Sequence, residues 1–235
     1  LGVHASDPYD TFDTLMDLSE RAGVASAFYC TTIHTRHDAD APYDMDSRFL
    51  RRLIRRIGER GHEIGLHPGF EVMDAAGIRQ GFERLRRICE EEGVRQDVWG
   101  GRQHYLRWGI GSPAAWDEAG LDYDSTLCHP AAPGFRCSTC REHRMFCLAS
   151  RRELRLVQRP PAMMDVSLTS PAYLGLGDDA EAILAALEPL RRECARYGGD
   201  FVYLWHNNTF TTPGARRVCA TLLGLEAADT AADAP

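Results

Sequence analysis

The sequence predicts an α/β fold in which parallel strands are joined by helices. Short apolar runs rich in strand-forming residues alternate with longer segments whose apolar residues recur at helical spacing. Several helical segments end on a glycine, the usual stop signal before the next strand. Repeated strand-then-helix units imply parallel strands with crossover helices, in a barrel or an open sheet.

The first half of the chain alternates helix and strand three times. Its opening segment carries acidic residues, an apolar face and a closing Gly23, which together predict a helix with clear start and stop signals. In order, the predicted elements are helix 7–23, strand 24–30, helix 49–57, strand 62–67, helix 78–88 and strand 98–101.

The second half is less regular, and a loop rich in Pro, Gly and Cys divides it. Pro189 is expected to kink or interrupt the longest helix. No domain boundary is visible, so residues 1–225 are predicted to be a single domain followed by a disordered tail over 226–235. The predicted elements are helix 116–120, strand 121–127, loop 128–143, strand 145–148, two strands within 154–168, helix 178–199, strand 201–207 and helix 214–225.

Composition excludes several classes of function. All 27 basic residues are arginine, so neither a lysine Schiff base nor a phosphate-binding P-loop lysine is available. A net charge of -7 argues against a protein dedicated to nucleic acid or anionic membranes. No run approaches the roughly 20 apolar residues of a membrane helix. We expect a small or uncharged ligand, no nucleic acid and no membrane insertion, and the oligomeric state stays open.

Eight cysteines are scattered along the chain, several of them in apolar runs where a reduced thiol behaves as a small hydrophobe. This usage predicts a reducing compartment and a cytoplasmic location. Cys137 and Cys140 form one C-x-x-C pair with Cys128, His129 and His143 nearby. The pair is open to three interpretations, which are structural zinc, a redox pair or disulfide, and two thiols that stabilise a loop.

Ionisable residues follow almost every predicted strand. In parallel α/β folds the carboxyl ends of strands and the loops after them carry the chemistry, so these side chains should converge on one rim. An inactive fold with polar loops is the alternative. The candidates are His34, His37, His67, Arg102, His104, Asp124, Asp165 and His206.

His67, Arg102 and His206 are the sharpest candidates. His67 ends an apolar strand before a Pro-Gly turn, a placement that suits metal ligation or proton transfer. Arg102 follows two glycines and could hold a carboxylate in a bidentate pair. His206 resembles His67, because it ends an apolar strand and precedes two amides. A structural histidine or an ordinary rim ion pair is the alternative, and it is favoured for His62, which precedes its strand.

At these strand ends the sequence resembles the polysaccharide deacetylase family, the NodB-homology or carbohydrate esterase family 4 proteins, and most closely a bacterial surface-polysaccharide branch. The resemblance implies an incomplete (β/α) barrel and a divalent metal, usually zinc, held by one aspartate and two histidines. It also implies hydrolysis of an acetyl group, N-acetyl in the first instance, on a sugar of a surface polysaccharide or its precursor. The segments that carry it are 7–23, 26–29, 59–69, 99–108, 119–127, 134–140 and 204–210.

The resemblance assigns roles to individual residues. His67 matches the first metal histidine of the family, and Glu71 stands where the second would fall. Arg102 matches the arginine that orients the catalytic base, and His206 matches the histidine that acts as general acid. Asp165 falls where an acidic residue supports that histidine. We therefore expect metal ligation by His67 and Glu71 and catalysis by Arg102, Asp165 and His206.

Substrate contacts are expected from four further rim residues. His104 and Tyr105 follow Arg102, and Asn207 follows His206. Asp124 resembles a strand-end feature of longer family members. An acetylated sugar or oligosaccharide is the expected partner of this rim.

The sequence departs from the family at its first motif, an aspartate pair at a strand end that supplies the base and a metal ligand. Residues 11–14 match it by letters but lie within a predicted helix, so we reject the match. The motif and its strand are expected upstream of residue 1, which predicts a truncated barrel without its first strand. Two rivals remain, a metal-free inactive barrel that binds sugar and a metal-independent hydrolase of a non-sugar C–N bond.

Overall fold

A computed structural model describes residues 7–225 and shows an α/β fold with a mostly parallel sheet. The helices are α1 Phe12–Arg21, α2 Arg48–Glu59, α3 Ala75–Glu91, α4 Ser112–Ala119, α5 Asp165–Thr169, α6 Ala180–Tyr197 and α7 Pro213–Leu222. The strands are β1 Ala27–Cys30, β2 Glu63–Leu66, β3 Gly100–Gly101, β4 Tyr123–Asp124, β5 His143–Cys147, β6 Arg152–Gln158, β7 Pro161–Met164 and β8 Val202–Leu204. The predicted tail lies outside the described residues.

The strands form two groups. Six strands make one sheet in the order β1-β2-β3-β4-β6-β5, and β7 and β8 form a separate parallel pair. Within residues 7–225 no strand pairing joins the two groups, so the expected barrel is not closed there. β5 pairs with β6 in antiparallel fashion, because the turn between them is too short for a parallel crossover. The mostly parallel arrangement agrees with the repeated strand-then-helix pattern.

Helices α2 and α3 show how local sequence sets the element boundaries. Ser47 accepts a hydrogen bond from the Leu50 amide at 3.3 Å, and Asp74 accepts one from the Gly77 amide at 3.0 Å. Both side chains act as N-caps that satisfy otherwise unpaired amides of the first turn. The apolar faces of these helices pack on the sheet in the main hydrophobic core, around Ile64 and Leu66 of β2.

Two details of the second half differ from expectation. Pro189 lies inside α6, yet the helix runs without interruption from Ala180 to Tyr197. Ile183 and Leu187 on one side of the proline and Cys194 on the other are buried, and this packing offsets the lost backbone bond. The predicted strand through Leu168 ends at Met164, because residues from Asp165 onward form α5.

None of the helices among residues 7–225 combines the length and apolar character that crossing a membrane requires.

Gly101 is a position in the sheet that tolerates no side chain. It pairs with Leu66, and a Cβ atom at Gly101 would overlap the carbonyl oxygen of Leu66. Since backbone cannot move aside cheaply, we expect Gly101→Ala to lower the free energy of unfolding by about 3 kcal/mol in urea denaturation. Gly109→Ala is the matched control, because its Cβ would meet no atom within 4 Å. Equal stability of the two variants would contradict the close approach of β2 and β3.

Candidate active site

Three imidazoles meet at the carboxyl ends of the strands. His67 follows β2, His104 lies in a 3-10 turn after β3, and His206 follows β8. The ring centroids of His67 and His104 are 4.6 Å apart. Burial lowers the pKa of both rings, and the nearby His206 lowers it further. The parallel alignment of β2 and β3 therefore brings together side chains that are far apart in sequence.

Each of these imidazoles is held through its Nδ1 atom. His67 Nδ1 lies 2.7 Å from the Arg102 carbonyl oxygen, His104 Nδ1 lies 3.0 Å from Asp40 Oδ1, and His206 Nδ1 lies 2.7 Å from Asp165 Oδ1. A carbonyl or an ionised carboxylate can only accept, so Nδ1 donates in all three pairs. In the neutral rings Nε2 is then left with a free lone pair.

The exposed imidazole of His206 is hydrogen-bonded to the buried carboxylate of Asp165. Asp165 is fully buried, whereas the His206 side chain is 44% exposed. The same carboxylate accepts hydrogen bonds from the His206 backbone amide, at 3.1 Å, and from the Thr209 hydroxyl. Pairing of Met164 with Leu204 in the β7–β8 ladder sets these residues side by side. The arrangement can move a proton at Nε2 while the carboxylate fixes the ring.

His104 and Asp40 form a second pair of the same kind, which the sequence analysis missed. Asp40 accepts hydrogen bonds from the Thr35 amide at 2.5 Å, the Thr35 hydroxyl at 2.6 Å and the Phe70 amide at 2.8 Å. Burial disfavours the Asp40 carboxylate, but these bonds and the one to His104 outweigh it and lower the pKa of Asp40 to about 2. Its position in the loop after β1 was the only signal in the sequence.

The pKa of His67 is strongly lowered. Burial lowers the pKa of His67 to about 3, and the neighbouring His104 adds to the shift. The bond to the Arg102 carbonyl opposes it only in part. His67 is therefore neutral near pH 7 and presents a lone pair rather than a positive charge.

This buried neutral histidine should make the protein acid-sensitive. Between a pH of about 6.5, the ordinary histidine pKa, and a pH of about 3, the folded value, the unfolded chain binds a proton that folded His67 does not. The free energy of unfolding should therefore decrease as the pH is lowered across this window. We expect His67→Gln to flatten the dependence of unfolding free energy on pH between 7 and 4. His129→Gln, which removes an exposed loop histidine, is the matched control.

Arg102 points away from the imidazoles and into the fold. Its Nε donates to the Ser125 carbonyl oxygen and one terminal nitrogen donates to Ser125 Oγ, both at 2.9 Å. The guanidinium also lies 4.9 Å from the centre of the Tyr29 ring. Among residues 7–225 it has no carboxylate partner in an ion pair. Its expected role in orienting a base stays a prediction.

Asp124 and Asn207 lie beneath or beside the rim. The Asp124 carboxylate is buried. It accepts hydrogen bonds from the backbone amide of Thr126, at 2.9 Å, and from the Thr126 hydroxyl. Burial raises the pKa of Asp124 to about 6, although these hydrogen bonds act to lower it. Asn207 donates from its side-chain amide to the Tyr9 carbonyl oxygen at 2.9 Å. Asp124 thus closes its own turn, and Asn207 fastens the segment before α1 to the rim, while their expected substrate contacts stay predictions.

Tyr105 stands out from the rim in a strained backbone. Tyr105 and Leu106 have φ angles of 57° and 53°, in the left-handed region that side chains with Cβ atoms avoid. Leu106 is buried, while Tyr105 is 67% exposed and sits edge-on to Phe70 at 5.3 Å between ring centres. The strained turn therefore anchors one side chain in the core and presents a flat aromatic ring beside His104.

The expected metal ligands do not come together in this part of the chain. Glu71 is exposed and makes neither a hydrogen bond nor an ion pair with His67 within residues 7–225. A turn in which the Val72 amide bonds the Gly69 carbonyl reverses the chain here, and it directs Phe70 toward the rim. No group of three His, Cys, Asp or Glu side chains among the described residues could hold a metal ion. These residues do not fit the one-aspartate, two-histidine zinc site.

Comparison with known proteins supports the fold. No family model and no curated protein matches the sequence. A crystal structure of a protein from Mycobacterium smegmatis, provisionally described as a polysaccharide deacetylase, matches with a TM-score of 0.65 and 18% sequence identity. The match covers 96% of this chain and 72% of that protein. The two share a fold. The shared fold agrees with the predicted α/β class, whereas the barrel that the resemblance implied is not confirmed.

Proposed function

We propose that this protein is a hydrolase that removes an acetyl group, an N-acetyl group in the first instance, from a sugar of a bacterial surface polysaccharide or its precursor. The observation that carries the proposal is the exposed His206 imidazole, held by buried Asp165 next to two further oriented imidazoles. The fold shared with the mycobacterial protein supports the substrate class.

In the proposed reaction the two carboxylate-held imidazoles divide the proton transfers. Burial lowers the pKa of His104, so this ring is neutral near pH 7 and its Nε2 can take the proton of an attacking water. The water oxygen bonds to the acetyl carbon. His206, protonated and stabilised by Asp165, gives its proton to the sugar nitrogen as the C–N bond breaks. Acetate and the amino sugar leave, and both rings exchange protons with solvent.

Aromatic side chains beside His104 supply the sugar-binding part of the proposal. Tyr105 is exposed, and His37 stacks on Phe70 with 3.8 Å between ring centres. Flat rings of this kind pack against the apolar face of a sugar while hydroxyl groups hydrogen-bond nearby. His67, neutral and with a free Nε2, can accept from a substrate hydroxyl or from the attacking water.

Acetate release tests the proposal directly. The purified chain is incubated with N-acetylated amino-sugar oligosaccharides and with O-acetylated analogues, with added Zn²⁺ or with a chelator. We expect acetate and a free amine from the N-acetylated series. Activity that requires Zn²⁺ would replace the proton-transfer scheme with a metal-assisted one. No acetate from either series in any condition would overturn the proposed function.

Sugar binding without hydrolysis is the second candidate. The missing three-ligand group among residues 7–225 favours it, because the family resemblance implies a metal-assisted reaction. Titration calorimetry with the same oligosaccharides separates the two. Binding with no acetate release, unchanged by His206→Ala, would support the non-hydrolytic protein.

A further inference from the structure

The C-x-x-C segment does not form a pair in space. Cys140 is buried against Cys194 of α6, whereas Cys137 lies on the side of Asp124 and Cys128. Ser138 between the two cysteines has a φ of 58°, which turns the chain and sends their side chains to different neighbours. The cysteine pairing suggested by sequence spacing is therefore replaced by a pairing between distant residues.

Cys140 and Cys194 converge on Gly199 and Asp200, just beyond the end of α6. The Asp200 amide donates to the Cys140 carbonyl oxygen at 2.9 Å, and the Cys194 thiol donates to the Asp200 carbonyl oxygen at 3.5 Å. The Gly199 amide bonds the Cys194 carbonyl oxygen at 2.9 Å. A Cβ atom at Gly199 would overlap the Cys140 sulfur, so only glycine allows this approach. Both thiols therefore border the Gly199–Asp200 backbone.

The segment that contains Cys140 also borders the candidate active site. We call residues 128–142 the cysteine loop. Its Gly134 amide bonds the Ala162 carbonyl oxygen of β7 at 2.7 Å, and its Pro130 carbonyl oxygen accepts from Ser167 of α5 at 2.7 Å. β7 ends directly before Asp165, the carboxylate that holds His206, and α5 begins with it. A link at Cys140 would therefore tie a wall of the site to α6.

We propose that Cys140 and Cys194 are a site of disulfide formation that fastens the cysteine loop to α6. A low-molecular-weight disulfide such as oxidised glutathione is the oxidant. One protein thiolate attacks it, forming a mixed disulfide and releasing one glutathione thiol. The second protein thiolate then attacks the mixed disulfide and releases the other glutathione. Two protein thiols lose two electrons, and one glutathione disulfide becomes two thiols.

Oxidation at this site should stabilise the fold. The cross-link joins residues far apart in sequence, so it removes conformational freedom from the unfolded chain. We expect a rise in melting temperature of about 5 °C, reversed by dithiothreitol. The reaction should be slow at neutral pH, because burial raises the pKa of Cys194 to about 12, Cys140 adding to the shift, and keeps the thiol protonated.

The test is disulfide mapping of the full chain. The protein is equilibrated with oxidised glutathione at pH 8.5, its free thiols are alkylated, and a non-reducing digest is analysed by mass spectrometry. We expect a peptide that joins Cys140 to Cys194, together with the higher melting temperature. Cys194→Ser should lose both, and Cys89→Ser, which removes a buried thiol of α3, should keep both.

Peptide mapping of the unmutated protein decides the proposal even if Cys194→Ser does not fold. A Cys137–Cys140 disulfide, a lone glutathione adduct on Cys140, or no disulfide at either residue would overturn it. None of these readouts depends on acetate release, so the outcome is independent of the proposed function.

Discussion

Replacement of His206 by alanine is expected to lower the rate of acetate release by about 10²- to 10⁴-fold, the range attributed to one general acid–base group. The variant removes the only exposed imidazole of the three at the rim and leaves its carboxylate partner in place. Since the substrate contacts proposed for His67 and His104 would remain, KM should change little while kcat falls. Initial rates over a range of oligosaccharide concentrations separate the two parameters.

Asp165→Asn tests the carboxylate of the His206–Asp165 pair. The asparagine keeps the volume of the carboxylate but removes the charge that stabilises protonated His206, so kcat should again fall by at least about 10²-fold. Asn208→Ala, at an exposed residue of the same turn, is the matched control and should keep its rate. A His206→Ala variant as active as the unmutated protein would assign acid catalysis to another group.

Asp40→Ala is expected to have the largest effect on stability. Four hydrogen bonds converge on this carboxylate, two from Thr35, one from the Phe70 amide and one from His104. Truncation leaves buried donors without a partner and should lower the free energy of unfolding by about 3 kcal/mol in urea denaturation. It also frees the His104 ring. Asp38→Ala, at an exposed aspartate of the same loop, should be close to neutral.

The stabilising contribution of Asp40 should depend on pH in a defined direction. Hydrogen bonds lower the pKa of Asp40 to about 2, below its ordinary value of 3.8, although burial opposes them. The contribution is therefore complete above pH 4 and is lost as the pH falls toward 2. The difference in unfolding free energy between the unmutated protein and Asp40→Asn should shrink from pH 7 to pH 2.5. A constant difference would show that the charge of Asp40 does not contribute.

Much of the architecture could be read from local sequence. The apolar spacing of α2 and α3, their capping residues and the glycines after them identify these helices, because helix formation responds to neighbours three and four positions away. The strand ends also pointed to His67, Asp165 and His206. The continuous helix through Pro189 could not be predicted, since it depends on packing against the rest of the protein.

Residue type and position do not determine how a side chain is oriented. Glu71 stands four residues after His67, but the turn after β2 leaves it exposed. Arg102 and Asp124 occupy strand ends, yet both turn inward to Ser125 and Thr126. Spacing along a strand exit indicates which residues reach the rim, whereas loop geometry decides where their side chains point.

The sequence by itself determined the alternation of strands and helices and the set of ionisable residues at the strand ends. Tertiary structure alone decided that His67 meets the Arg102 carbonyl oxygen and that His104 meets Asp40, whereas the family resemblance already paired Asp165 with His206. Asp40 bonds His104 across 64 residues, and Asp165 bonds His206 across 41. Such pairs leave no local pattern, because they form only when parallel strands bring the ends of separate segments to one edge. The same reason explains why Cys140 meets Cys194 rather than its neighbour Cys137.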